Sequence, residues 1–222
     1  MINQFKLFVL WTLTPILGGT IAQGLPNVLI YGDSISGGYA PFVAETLKNK
    51  ANLYRPLPHD NWDSAHLLEY IQELTKAHGV KFDVIHFNVG LHDMKRYNSD
   101  GKKDAMNGSL QVSYAAYRTN LEAAIQWMKK AHPNARIIFA TTTPVPAGEK
   151  RRRVADPIEF NAIASHLLQD FPEIVVNDLY SFVKPNHRSW WREPGDVHYT
   201  ETGYRTLAEK VSNAIIEQIE AN

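Results

Sequence analysis

Short apolar runs alternate along the chain with longer segments whose apolar residues recur at helical spacing. The runs predict buried strands at residues 27–31, 52–55, 82–89, 135–141 and 174–177. The periodic segments predict helices at residues 39–49, 63–76, 113–131, 157–169 and 200–219. Ser113 and Asp156 stand at the start of two of these helices and are predicted N-caps. The alternation predicts one α/β domain in which helices cover both faces of a five-stranded parallel sheet.

The composition agrees with one globular domain and excludes several kinds of chemistry. The 222 residues are 44% hydrophobic and 21% charged, so the chain is able to bury a core without cross-links. The absence of cysteine excludes disulfides, thiolate metal sites and a cysteine nucleophile. Lys and Arg together number 23 and so do Asp and Glu. We expect no nucleic-acid partner, because neutralising phosphates normally takes a basic excess.

The first 22 residues have the layout of a secretory signal. Lys6 precedes an apolar run at 7–17, and small or polar residues follow, with Thr20-Ile21-Ala22 resembling a cleavage site. The run is short for a bilayer and Pro15 interrupts it, so we expect no stable membrane span. We therefore expect a cleaved signal at 1–22, a mature domain at 23–222 and a secreted or periplasmic protein. A lipid-facing anchor and a structural extension are the alternatives.

Chemically capable side chains follow the predicted strands, at the edge of the sheet where α/β proteins bind ligands. Ser34 follows the first strand and would be a nucleophile if a base removed its proton, or else a capping serine. Asp196 and His198 lie two apart, so in an extended segment both point to one side. The carboxylate would then orient the imidazole of a base, unless the two form an isolated surface pair. His92, in Gly90-Leu91-His92-Asp93, would donate a ring N–H to a developing oxyanion.

Three motifs in order give the chain a clear resemblance to the SGNH (GDSL-type) hydrolases. They are residues 32–36 within VLIYGDSIS, 90–93 within FNVGLHDMK and 196–200 within GDVHYTETGY. The resemblance implies a flavodoxin-like α/β/α sandwich and ester hydrolysis through an acyl-enzyme, with no metal or cofactor. It implies that Ser34 is the nucleophile and an N–H donor to the oxyanion, His198 the base and Asp196 its orienter. We also expect Gly90 and Asp33 among the residues that bind the oxyanion or substrate.

The chain departs from the family pattern at three places. His92 stands where the family usually has asparagine, and the usual Asp-x-x-His is contracted to Asp196-Val197-His198. A bacterial subset of the family with GLHD and DVH blocks is similar in both respects. The second block usually supplies a glycine N–H to the oxyanion, but residues 60–64 read DNWDS. We expect the backbone N–H of Trp62 or Asp63, or the side-chain amide of Asn61, to take its place.

The surroundings of the site suggest what it binds. Five aromatic residues are expected near its rim, where they would suit flat sugar faces or acyl chains, unless the tryptophans are core and lid packing. They are Trp62, Tyr97, Trp190, Trp191 and Tyr199. The basic run at 150–153 would attract an acidic polysaccharide or be a solvated loop. The polar stretch 97–108 is predicted to be a mobile loop near the cleft.

These observations favour a secreted serine esterase that removes small acyl groups, above all acetyl, from a carbohydrate ester. One alternative keeps the chemistry but takes a lysophospholipid or short-chain lipid ester. Another is a metal-dependent phosphoesterase built on Asp33, His92, Asp93 and His198. A fourth is a non-catalytic, carbohydrate-binding envelope protein of the same fold. Nothing in the sequence predicts an oligomeric state.

Overall fold

Seven short strands form one central sheet and one small ribbon in the computed structural model, which describes residues 24–56 and 62–221. The strands are β1 (Asn27–Tyr31), β2 (Asn52–Tyr54), β3 (Val84–Phe87), β4 (Arg96–Tyr97), β5 (Ser109–Leu110), β6 (Arg136–Ala140) and β7 (Val175–Asn177). The central sheet is parallel with the order β2-β1-β3-β6-β7, and β4 pairs with β5 in an antiparallel ribbon. The chain order therefore changes direction between β1 and β3, which makes this the point where a crevice opens at the carboxyl edge.

Helices on both faces of the sheet complete three layers. They are α1 (Ser34–Thr46), α2 (Ser64–His78), α3 (Tyr114–Ala131), α4 (Asp156–Leu168), α5 (Leu179–Val183), α6 (His187–Trp190) and α7 (Glu201–Glu220). The α1 and α7 helices pack against each other, while α3 packs between α2 and α4. The four consecutive apolar residues of β1 and all of β3 are buried, as expected for strands covered on both faces. The prediction of a flavodoxin-like α/β/α sandwich with a five-stranded parallel sheet is confirmed.

The first helix begins five residues earlier than its apolar pattern predicts. The carboxylate of Asp33 accepts the backbone N–H of Ile35, so the helix starts at Ser34 and not at residue 39. The glycines at 37 and 38 hide this start, because glycine lowers helix propensity. Packing explains why residue 38 is glycine, since a Cβ there would lie 2.2 Å from the ring of Tyr204. Glycine thus lets α1 approach α7 closely.

Two further predictions need correction. The stretch 97–108, predicted as a mobile loop, begins in β4 with Tyr97 and then connects the two strands of the β4–β5 ribbon. The turn is closed by bonds to the side chain of Asn98. Asp156 is not an N-cap; it is the first residue of α4, after Ala155. Its buried carboxylate instead binds the guanidinium of Arg96 at 2.7 Å. The same carboxylate accepts the backbone N–H of Arg153 at 2.7 Å, so it joins the start of α4 to the ribbon.

Candidate active site

Ser34 lies at the first position of α1, directly past the carboxyl end of β1. Its side chain is exposed, whereas the neighbouring Asp33 is completely buried. Backbone N–H groups in the first turn of a helix have no partner within the helix, so the N–H of Ser34 is suited to an oxyanion. The Asp33 carboxylate serves as the helix N-cap. The expectation that Asp33 binds substrate is therefore wrong: its side chain faces the interior, and burial raises its pKa.

A guanidinium and a close contact hold this turn in shape. Arg55, just after β2, donates to the carbonyl groups of Gly32 and Asp33 and to Ser36 Oγ, the last at 2.8 Å. A Cβ on Gly32 would lie 1.9 Å from Oδ1 of Asn88, the residue after β3. Only glycine fits between the two strand ends. The nucleophile turn is thus positioned from both neighbouring strands, a role for Arg55 that the sequence does not reveal.

The segment before α7 brings a histidine and an aspartate to the same serine. His198 Nε2 lies 2.9 Å from Ser34 Oγ, and His198 Nδ1 lies 2.6 Å from Asp196 Oδ1. The same Oδ1 accepts the backbone N–H of His198 at 3.1 Å. Val197, between the two, is 5% exposed and anchors the segment in the core. This agrees with the alternation of side-chain directions expected for an extended segment. Residues that are 164 positions apart therefore form one hydrogen-bonded chain.

The charges around the hydrogen-bonded serine, histidine and aspartate favour proton transfer from the serine to the histidine. Burial by itself would raise the pKa of Asp196, but the His198 hydrogen bonds and the charge of Arg192 lower it. Arg192 lies 2.5 Å from Asp196 Oδ2. An ionised carboxylate keeps the hydrogen of His198 on Nδ1, which leaves Nε2 to accept the Ser34 hydroxyl. The arrangement is that of an activated serine nucleophile.

The residues after β3 form a tight turn on the other side of the crevice. Gly90 has φ 139°, a conformation that favours glycine, and a Cβ there would lie 3.2 Å from Thr142. His92 is partly exposed, and its Nδ1 lies 2.8 Å from Lys95 Nζ. Asp93 is fully buried and accepts the N–H of Ser64, the first residue of α2. Gly90 and His92 thus lie at the edge where the sequence predicts them, since β3 pairs with β1.

The expected substitutes for the missing second-block glycine have different outcomes. Asn61 lies outside the described residues. Trp62 is 5% exposed, with its ring edge-on to Tyr31 and beneath the guanidinium of Arg55. Its side chain is therefore core and support, not a substrate platform. The backbone N–H of Trp62 or of Asp63 stays the predicted donor.

The aromatic rim is less exposed than expected. Tyr199 is 2% exposed, and both tryptophans before it are half-buried. Trp190 packs against Phe182 and over Gly203, and Trp191 lies edge-on to His187. Of the expected aromatic residues, Tyr97 and the two tryptophans keep partial exposure. The interpretation of the tryptophans as packing residues therefore accounts better for their contacts than open sugar platforms do.

The basic run at 150–153 is anchored to its surroundings. Arg152 is 3% exposed; its Nε donates to the carbonyl of Leu91 at 2.5 Å and its Nη1 pairs with Glu149 at 3.1 Å. Arg153 donates to two carbonyl groups in the ribbon turn. Neither a solvated loop nor a polyanion-binding patch describes Arg152. It supports the turn that carries His92, because a buried carbonyl needs a donor.

The side chains required by the metal-dependent hypothesis do not converge. Asp33 caps α1, Asp93 binds Ser64 and His198 contacts Ser34. Across residues 24–56 and 62–221, no three His, Asp or Glu side chains are placed to hold a metal ion. The geometry gives this hypothesis no support.

An α/β/α sandwich with a serine, histidine and aspartate in contact at the switch point of its sheet defines a class, the serine hydrolases. The sequence profile of the GDSL-like Lipase/Acylhydrolase family matches residues 21–206, so the chain belongs to that family. It is accordingly a serine ester hydrolase. No curated protein matches the chain by sequence. Among helices of the described residues, none has the length and apolar character needed to cross a bilayer.

Solved structures share the fold at low sequence identity. The acetyl xylan esterase AlAXEase is 20% identical with a TM-score of 0.66, over 85% of this chain and 99% of that one. A lipase/acylhydrolase from Enterococcus faecalis is 18% identical with a TM-score of 0.67, over 86% and 95%. A carbohydrate esterase of family 3 from Talaromyces cellulolyticus is 15% identical with a TM-score of 0.65, over 89% and 100%. At these identities the likeness establishes the fold.

Proposed function

We propose that this protein removes small acyl groups, in particular acetyl, from carbohydrate esters, with Ser34 as nucleophile, His198 as base and Asp196 as its orienting carboxylate. The observation that carries the proposal is the unbroken chain of contacts, 2.6 Å from aspartate to histidine and 2.9 Å from histidine to serine. The names of two fold relatives, an acetyl xylan esterase and a carbohydrate esterase, support the substrate class.

The reaction proceeds by two acyl transfers. Ser34 Oγ attacks the ester carbonyl carbon while its proton passes to His198 Nε2. The carbonyl oxygen becomes an oxyanion, which accepts hydrogen bonds from the Ser34 N–H, from His92 and from the segment at 61–63. The bond to the sugar oxygen breaks, and the protonated His198 gives its proton to the departing alcohol. Water then attacks the acyl-serine with His198 again as base, which releases the carboxylic acid and restores Ser34.

Labelling with a fluorophosphonate tests the nucleophile directly. We expect a single covalent adduct, mapped to Ser34 by mass spectrometry, and none in Ser34→Ala. That variant is also expected to lose at least about 10³-fold in turnover of p-nitrophenyl acetate with an unchanged circular dichroism spectrum. A matched control is Ser181→Ala, which removes an exposed serine hydroxyl at the surface of α5. Glycan binding without labelling would instead favour the non-catalytic alternative.

A substrate panel tests the carbohydrate assignment. We expect acetylated xylan to be hydrolysed, and p-nitrophenyl esters to be cleaved more slowly as the acyl chain lengthens. Activity that rises with chain length, or that requires lysophospholipid, would favour the lipid-ester alternative. Export is a separate proposal: N-terminal sequencing of the secreted protein is expected to find the new terminus near residue 23.

A further inference from the structure

Histidine at position 92 raises a chemical problem that asparagine would not. An amide always presents an N–H, whereas an imidazole has two neutral tautomers and a protonated form. The ring nitrogen that carries the hydrogen is decided by the partner of the other one. His92 therefore needs a neighbour that fixes its tautomer if it is to stabilise an oxyanion reliably.

Lys95 is placed to be that neighbour. Its Nζ lies 2.8 Å from His92 Nδ1, and the residue is 9% exposed. An ammonium group only donates hydrogen bonds, so Nδ1 must accept and the hydrogen of the ring must be on Nε2. A second proton on the ring is disfavoured for the same reason, since Nδ1 would have to donate toward an ammonium group.

The turn that holds the two residues is fixed by its neighbours. The N–H of Met94 donates to the carbonyl of Gly90 at 3.0 Å, and the N–H of Lys95 donates to the carbonyl of His92. The carbonyl of Lys95 itself accepts the N–H of Gln111 at 2.7 Å. The backbone of Lys95 is therefore fixed by hydrogen bonds. Its side chain contacts His92, three residues earlier in the same turn.

The charges around Lys95 are mixed. Burial first, and then the positive charges of Arg152 and Arg151, lower its pKa to about 8, while Asp33 and Asp63 act in the opposite direction. The group is therefore mainly an ammonium at pH 7. Among the described residues, the side-chain group within hydrogen-bond distance of Lys95 Nζ is the imidazole of His92.

We propose that Lys95 is a positioning residue, which holds His92 as the neutral Nε2–H tautomer and so supplies the oxyanion with a defined ring N–H donor. This inference rests on the proposed acyl-transfer function. It assigns Nε2 as the donating atom of His92. It also implies that histidine replaces asparagine at this position only when a buried lysine follows three residues later.

The tautomer is measured by long-range ¹H–¹⁵N correlation spectra of the histidine rings at pH 7, with His92 assigned from the signals that His92→Asn removes. We expect a protonated Nε2 and an unprotonated, hydrogen-bonded Nδ1 in the wild type. In Lys95→Met we expect a mixture of tautomers or a ring that gains a proton near neutral pH. Lys102→Met, at an exposed site in the ribbon turn, is the matched control and is expected to leave the spectrum unchanged.

Kinetics test whether the tautomer matters for the reaction. Lys95→Met is expected to lower kcat on p-nitrophenyl acetate by about 3- to 10-fold, the inverse of the fraction of the ring that keeps the Nε2–H form. This is less than the roughly 10²–10³-fold cost of deleting an oxyanion donor, and little change in KM is expected. In a His92→Asn background, the same substitution is expected to cost less than about threefold, because an amide has no tautomer to fix. Equal losses in both backgrounds would overturn the positioning role.

The two proposals fail separately. A wild-type ring with its hydrogen on Nδ1, or an unchanged ring in a folded Lys95→Met protein, overturns the role of Lys95 whatever the activity. If Lys95→Met does not fold, the wild-type spectrum alone decides the tautomer. A protein that carries the Nε2–H tautomer but takes no fluorophosphonate label at Ser34 would retain the pairing and lose the proposed function.

Discussion

Replacing Asp196 with asparagine removes the charge behind the base while keeping the shape of the side chain. In the native protein Oδ1 accepts both the ring and the backbone N–H of His198, at 2.6 and 3.1 Å. The amide oxygen is able to keep both bonds if it takes the place of Oδ1. Its NH₂ group then faces the guanidinium of Arg192, which lies 2.5 Å from Oδ2 in the native protein. Two donors would oppose each other, so the variant loses charge and gains a local conflict.

The cost follows from the charge that develops on His198 in the transition state. An ion pair at about 4 Å in an effective dielectric of about 20 is worth roughly 4 kcal/mol. The side chains of Asp196 and His198 are 13% and 28% exposed, so water screens part of this interaction. We expect a loss of about 2–4 kcal/mol, which corresponds to a kcat roughly 30- to 1000-fold lower.

The assay is kcat and KM on p-nitrophenyl acetate at fixed pH, with thermal unfolding as a check on the fold. Glu193→Gln removes an exposed carboxylate from the same loop and is expected to keep nearly full activity. Adding Arg192→Gln to the Asp196→Asn variant is expected to recover part of the loss, because it removes the opposing donor. A kcat for Asp196→Asn within about threefold of the wild type would refute the reasoning.

Two further substitutions test the supports of the site. Arg55→Met leaves the carbonyl of Gly32 without its donor, so we expect about 1–3 kcal/mol less stability in urea unfolding and a lower kcat; unchanged values would contradict the clamp. Burial raises the pKa of Asp93 to about 7, so the folded chain stays protonated where the unfolded chain ionises, and stability is lost between about pH 4 and pH 7. In Asp93→Asn this loss, at most ~4 kcal/mol, is expected to disappear, so the stability of the variant relative to the wild type increases as pH rises. Parallel plots of unfolding free energy against pH for the two proteins would refute the assignment.

The sequence predicts the sheet because its strands are buried on both faces and therefore stand out as apolar runs. It predicts the positions of Ser34, Asp196 and His198 because the motif and the strand ends coincide. It does not predict where α1 begins, since Gly37 and Gly38 weaken the helical pattern. The reason for the second of these glycines lies 166 residues further along the chain, at Tyr204, whose ring would lie 2.2 Å from a Cβ at position 38.

The residues that support the site from behind could not be predicted from the sequence either. Arg152 belongs to a run of basic residues that normally faces solvent, and only the fold buries it against the carbonyl of Leu91. Trp62 and Tyr199 look like a substrate rim by their distance from the motifs, yet both rings are buried. Lys95 stands three residues after His92 in the sequence, but that spacing alone does not predict their contact, which depends on the turn between them.

By itself, then, the chain determined its layers, its parallel sheet and the residue types of its reaction, because local apolar patterning and short motifs carry that information. Tertiary structure decided which polar groups meet. A guanidinium or an ammonium on a long side chain binds whichever acceptor the fold brings within about 3 Å. That acceptor can come from any segment, so the pairings of Arg55 and Arg152 exist only once strands and loops far apart in the sequence have packed.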